Sequence, residues 1–183
     1  MAARPDPFVL ALPEPCLVVL VGAAGSGKST LAARLFALDQ ILSSDAYRGI
    51  VSGDESNQQA SKLAFAILHR ELDRRMAAHE TTVIDATNVT SYARRALTRR
   101  AERHGVPAIA LVLDLPAEVV HARNAARPGR IVPPQAVQQQ LASLARTLRR
   151  DELATEGFSR VLLIREPAEL DALGDRSGPI IGR

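Results

Sequence analysis

Short apolar runs alternate with longer segments in which apolar residues recur at helical spacing. Leu17–Val21, Gln40–Ser44, Thr81–Ile84, Ala108–Leu113 and Arg160–Ile164 read as five short strands. Several are continuously apolar, the signature of strands buried on both faces. Helices are expected at Lys28–Ala37, Ser61–His79, Ser91–His104, Ala117–Ala126 and Gln135–Arg150, with a short one at Pro167–Leu173. In the second, Leu63, Ile67, Leu72 and Met76 keep close to helical spacing. In the fifth, Val137, Leu141, Leu144 and Leu148 form a single apolar stripe. Asp45–Gln59 is polar and reads as a loop, and Arg127–Pro134 as a second loop rich in Pro, Gly and Arg. Strands each followed by a helix argue for an α/β fold, a five-stranded parallel sheet with helices on both faces. Residues 1–15 read as a Pro-rich lead-in, 16–174 as one domain and 175–183 as a tail; no repeat at solenoid periods is present.

In such sheets ligands sit beyond the carboxyl ends of the strands, so those ends are where chemistry is sought. The first strand runs into Gly22-Ala23-Ala24-Gly25-Ser26-Gly27-Lys28-Ser29-Thr30, a full match to G-x-x-x-x-G-K-[ST]. Gly22, Gly25 and Gly27 let the backbone turn tightly and aim successive N–H groups inward, and the helix that follows adds its positive end. Lys28 is expected on the β- and γ-phosphates, and Ser29 on Mg²⁺. Ser26 and Thr30 complete the cradle. The motif implies ATP or GTP; no Asn-Lys-x-Asp guanine reader is present, which disfavours a GTPase.

Three strands end near a carboxylate: Asp45, Asp85 and Asp114. Phosphoryl transfer to an alcohol needs one carboxylate to accept or align the hydroxyl proton. Asp45 is the expected base, with Arg48 three residues on. Asp85 is the second candidate, as a metal or acceptor ligand. Asp114, before Leu115-Pro116, suits a helix cap, and Thr87 and Asn88 serve equally as acceptor contacts or caps. Arg123 and Arg127, four apart, are expected on one helix face, and Pro128-Gly129 hands Arg130 to a loop. The segment reads as an arginine lid over the donor phosphates, or as a solvated basic helix end. Arg94, Arg95, Arg99, Arg100 and Arg103, on the helix after Asp85, read as a solvated face or as a polynucleotide track.

Composition narrows the class. The 183 residues carry a net charge of +3, and among the positive residues only Lys28 and Lys62 are lysines. Any phosphate recognition beyond Lys28 therefore falls to arginine, whose planar fork suits it. Cys16 is the single cysteine, which excludes an intramolecular disulfide framework. The four histidines lack metal-ligand spacing. No apolar run approaches the ~20 residues of a membrane span. With no export signal, a cytoplasmic location and no membrane partner are expected.

Together these residues resemble the polynucleotide 5′-hydroxyl kinases, and in particular the kinase module of the bacterial polynucleotide kinase-phosphatases. The likeness runs from Leu17 to Leu163. It is carried by the stretch from Ile41 through Asp45-Ala46-Tyr47-Arg48-Gly49 to Asp54-Glu55-Ser56-Asn57-Gln58, by Thr82–Val89, and by Arg123-Asn124-x-x-Arg127 with Arg130. The resemblance implies a P-loop kinase fold with an Arg-rich lid and transfer of the γ-phosphate of ATP, with Mg²⁺, to a 5′-OH end of RNA or DNA. It implies Asp45 as general base, Arg48 on Asp45 or on a nucleic-acid phosphate, Arg123 and Arg127 over the donor, and self-association or separate end-healing partner proteins. No Asp-x-Asp phosphatase motif is present. Two other readings share the same P-loop: a small-molecule kinase for a sugar, nucleoside or antibiotic, and a nucleotide-binding regulator without transfer.

Overall fold

The computed structural model describes residues 12–53, 61–128 and 131–174. The lead-in before Leu12, the Asp54–Gln58 part of the family likeness, Arg130 and the tail from residue 175 lie outside the described residues. Five strands form one sheet: β1 Leu17–Val21, β2 Ile41–Ser43, β3 Thr82–Asp85, β4 Ala108–Leu113 and β5 Arg160–Ile164. Their order is β2-β3-β1-β4-β5, and every pairing is parallel. Seven helices join them: α1 Lys28–Leu35, α2 Ser44–Ser52, α3 Ser61–Ala77, α4 Ser91–Arg103, α5 Ala117–Ala125, α6 Pro134–Arg149 and α7 Pro167–Gly174. This is an all-parallel α/β fold with helices packed on both faces of the sheet.

Alternation along the strands divides the core into two layers. Val18, Leu20, Ile109, Leu111 and Leu113 point into one, with Leu31 of α1, Val120 of α5 and Leu170 of α7. Leu17, Val19, Val21, Ala110 and Val112 point into the other, with Leu68, Leu72 and Met76 of α3 and Leu97 of α4. Leu12 and Cys16 are buried in the first layer. Burial pushes the Cys16 thiol up to about 11, so it packs as a neutral group.

The stripe on α6 does not serve one layer. Val137 and Leu141 pack in the first, Leu144 and Leu148 in the second. Gln140 and Ser143, on the same helix, bond the turns after β1 and β3. α6 therefore crosses over the carboxyl ends of these two strands.

Two expectations from sequence are corrected. Ser44–Ser52 is a helix, not a loop: the Ser43 hydroxyl accepts from the Ala46 amide, and Gly53 closes the helix at φ 71°. Arg94 does not belong to a solvated face. It is fully buried, because residues 94, 97, 98 and 101 form the inward stripe of α4. Its Nε donates to Glu156 Oε2 at 2.6 Å and its Nη2 to Oε1 at 2.8 Å. Further bonds reach Asn88 O at 3.1 Å and Thr147 Oγ1 at 3.1 Å. Breaking a buried pair strands the remaining charge, which costs about 3–5 kcal/mol. Arg94→Met is expected to lower stability by about that amount, seen as a lower urea midpoint with the slope unchanged. Arg94→Met with Glu156→Leu is expected to recover much of the loss. A single variant as stable as the parent would show that the pair carries no such constraint.

Candidate active site

The turn between β1 and α1 is shaped by local backbone demands. Gly25 and Gly27 adopt φ of 89° and 96°, the left-handed region that side chains disfavour. Space forbids larger residues as well. A Cβ on Gly25 would lie 2.5 Å from Val120 O, and one on Gly22 would lie 2.8 Å from Ser26 Oγ. The Gly22 amide donates to Thr87 O at 2.9 Å, tying the turn to the segment after β3. The Ala24 amide donates to Gln140 Oε1 at 2.8 Å, tying it to α6. α1 opens at Gly27 with no side-chain cap and no acidic residue in its first turn. Its leading N–H groups thus favour an anion.

Lys28 is buried within this turn, its Nζ donating to Ala23 O at 2.8 Å. Burial, offset by the nearby Asp85 carboxylate and reinforced by Arg127, pulls its ammonium down to about 8. Nucleotide phosphates favour the charged lysine and raise its pKa when bound. Affinity for a nucleoside triphosphate is therefore expected to be flat below pH 8 and to weaken as pH rises through that value. Calorimetric titrations between about pH 6.5 and 9.5 check this; affinity constant across the range would mean an ordinary lysine.

Ser29 and Thr30 are exposed in the first turn of α1, and the Ser26 hydroxyl is buried without a partner. The residues here fit a magnesium nucleotide. The turn holds an orphaned buried hydroxyl, Ser26 Oγ, and the hydroxyls of Ser29 and Thr30 are hard-oxygen donors. Ser29, exposed in the first turn of α1, carries the hydroxyl that could hold such an ion. Among the described residues no cluster of three or more His, Cys, Asp or Glu could hold a metal.

The acidic side of the site follows from the register. Ser43 pairs with Asp85 at the ends of β2 and β3, and Asp45 enters the first turn of α2 two residues later. Asp45 is ion-paired with the buried Arg48. Its other oxygen lies 3.9 Å from Arg127 Nη2, and its carboxylate is about one-quarter exposed. Asp85 is buried and close enough to Lys28 to stabilise its charge.

The basic side differs from the expected helix face. α5 ends at Ala125, and Arg127 lies one residue past its Ala126 cap. Pro128 disfavours the helical conformation in the residue before it, so Arg123 and Arg127 do not share a face. Arg123 reaches back over the glycine turn: its Nη1 lies 3.5 Å from where a Gly27 Cβ would stand. Arg127 instead points to Asp45.

Three other expectations change. Asp114 does not cap α5, whose cap residue is Pro116; it pairs with Arg165 at 3.6 Å. Thr87 and Asn88 do not cap α4, which Thr90 caps through Ala93 N. The Asn88 amide donates to Leu20 O at 2.8 Å from a backbone at φ 47°, and the Thr87 carbonyl serves Gly22. Two supporting residues went unread in the sequence. Gln140 holds the Ala24 amide. Asn124, buried beneath Gly25, bonds Val132 both ways, at 2.8 and 3.2 Å, and so fixes where the chain returns after Arg127. A glutamine in a polar helix face and an asparagine near a helix end give no local signal of such distant partners.

The sequence matches the AAA domain family over residues 17–150. No curated protein matches it. Among solved structures, a chain of the Pnkp1/Rnl/Hen1 RNA repair complex is similar at 21% identity and TM-score 0.64, over 81% of this chain and 49% of that one. This chain thus spans about half the length of that relative. A sugar kinase from Janibacter sp. HTCC2649 is similar at 24% identity and TM-score 0.59, over 90% and 92% of the two chains. A gluconokinase from Sinorhizobium meliloti 1021 follows at 20% identity and TM-score 0.55, over 89% of each. At these identities the structures speak for the fold, while the match of residues 17–150 covers most of the chain. The chain belongs to the AAA domain family, with the fold of a P-loop kinase.

Proposed function

We propose that this protein transfers the γ-phosphate of ATP to the 5′-hydroxyl end of a polynucleotide. The observation that carries the reading is the Arg48–Asp45–Arg127 arrangement at the mouth of the glycine cradle. It joins an acid suited to an acceptor hydroxyl with an arginine suited to charge on the transferred phosphoryl group. Asp45 would accept the hydroxyl proton as the oxygen attacks. Lys28 and the first-turn amides of α1 would hold the donor phosphates. Arg123, over Gly27, and Arg127, beside Asp45, would meet the charge that develops in transfer. Mg²⁺ on Ser29 would supply charge neutralisation on the donor phosphates. Arg48, buried against Asp45, would keep that carboxylate aimed. Asp85 and Thr87 would frame the acceptor side, with Arg130 as a further contact; the Asn88 side chain, bonded to Leu20 O, instead steadies the segment beside them. The likeness to the repair-complex chain supports the nucleic-acid acceptor, as does the resemblance of the Ile41–Val51 stretch to the 5′-hydroxyl kinases.

A second reading, a small-molecule kinase, has one observation in its favour: this chain and the sugar kinase match over nearly their whole lengths. The test is transfer of labelled γ-phosphate from ATP to a 5′-OH oligonucleotide, run beside a panel of sugars and nucleosides. Label on the oligonucleotide end supports the proposal. Label only on a small alcohol favours the second reading, and no transfer to any acceptor rejects both.

A further inference from the structure

Helix α4 carries more positive charge on its outward side than the fold accounts for. Arg94 faces inward and is matched by Glu156. Arg100 and Arg103 share Asp73 of α3, at 3.4 and 2.8 Å, and as last-turn cations they also suit the helix dipole. Arg95 has neither compensation. Among the described residues it bonds only the neutral hydroxyls of Ser91 and Thr155, and it lies well before the last turn, where the helix dipole would favour a cation. Arg99 is exposed and has no hydrogen-bond or ion-pair partner among the described residues.

Tyr92 stands at the head of this charged row. It is 86% exposed, and it is the one exposed Phe or Tyr among the described residues. An aromatic ring of this size is usually recruited to a core or an interface. Tyr92, Arg95, Ala96, Arg99 and Arg103 recur at helical spacing and line an open groove of about 690 Å³. Glu102 is the one carboxylate in its lining. The groove starts at the active edge of the sheet. α4 begins three residues after Asn88, and the Thr87–Asn88 segment is bonded to Gly22 and Leu20. It then runs ~16 Å toward the far end of the helix.

We propose that this face of α4 is a track for a single-stranded polynucleotide whose 5′ end enters the site. The inference rests on the polynucleotide reading above and extends it beyond the terminal nucleotide. A base stacks on Tyr92, and backbone phosphates lie along Arg95 and Arg99. Stacking platforms interleaved with cations are the general solution for holding an unpaired strand.

The test uses the full chain with Tyr92→Ala and Arg99→Ala combined, both at exposed positions where substitution leaves the fold intact. KM is measured for a 5′-OH dinucleotide and for a 5′-OH oligonucleotide long enough to cover α4. In the parent chain, KM is expected to fall with acceptor length. In the double variant, KM for the long acceptor is expected to rise about tenfold, the scale of one lost stack. The ratio of long to short KM should collapse toward one with kcat retained. The salt dependence of KM for the long acceptor should flatten by about 0.7 in log–log slope, one phosphate contact. Tyr92→Phe with Arg99 intact is expected to behave as the parent. Arg149→Ala, at an exposed position at the end of α6, removes the same single charge and controls for it. If the α4 variant keeps the parent's length and salt dependence, or if the α6 control loses as much, the track is wrong while the kinase reading stands. Absence of transfer to any oligonucleotide by the parent would instead reject the reading beneath it.

Discussion

Asp45→Asn is expected to lower kcat by about 10²–10⁴ while leaving ATP affinity unchanged. That range is what a positioned proton acceptor typically contributes. Asparagine keeps the shape of the side chain and, through its carbonyl, the contact to Arg48. What it removes is the capacity to take a proton. The helix that carries it is held by groups other than its carboxylate, and thermal unfolding of the variant checks the weakened ion pair with Arg48. The Ser43 cap and the Gly53 stop hold α2, and Asp45 itself remains about one-quarter exposed beside Arg127. Single-turnover transfer and separate calorimetry of ATP resolve the two effects. A loss of less than tenfold would remove Asp45 from the role of base. A parallel loss of ATP affinity would make it part of the donor site.

A second large effect is expected at Arg127. Its guanidinium lies past the end of α5, half-exposed, 3.9 Å from Asp45. An arginine that meets charge on a transferring phosphoryl group contributes about 10³–10⁵ in rate. Arg127→Ala should therefore reduce kcat on that scale, with a smaller change in ATP binding. Arg127→Lys is expected to recover little, since an ammonium cannot present two parallel donors. Arg123→Ala is the informative comparison: it lies over Gly27, on the donor side, and should weaken ATP binding more than Arg127→Ala does. Equal effects of the two substitutions on binding and on turnover would show that the arginines are not divided between donor and transfer. Thermal unfolding of each variant guards against a loss of fold at these partly exposed positions.

The sheet was legible because its strands are local objects. β4 and β5 match their apolar runs to the residue, and β1 does the same. β1 and β4 are buried on both sides and leave no alternation to misread, whereas the edge strand β5 was marked by its run of four aliphatic residues. The glycine turn was legible for a related reason. Its conformation is written in nine consecutive residues, and the two left-handed glycines sit inside that window. α2 was missed because a nine-residue helix with a polar outer face lacks a long apolar period. Its signals were at the ends, Ser43 before it and Gly53 after it, and the polar composition between them outweighed those caps. Arg94 was misread because charge suggests solvent, whereas its position on the 94, 97, 98, 101 stripe points inward. Glu156, which accounts for its burial, stands 62 residues away. The same distance problem hid Gln140, 116 residues from the amide it holds. The site's first layer is written in motifs, while the groups that steady it depend on how the chain folds back.

The Lys28 ammonium is anchored by the turn that carries it. Its Nζ rests on the Ala23 carbonyl, which takes one of the three donors an ammonium presents. The other two are left for an anion, so the lysine can meet a phosphate without giving up the oxygen that aims it. The same loop thus supplies the charge and fixes where that charge sits.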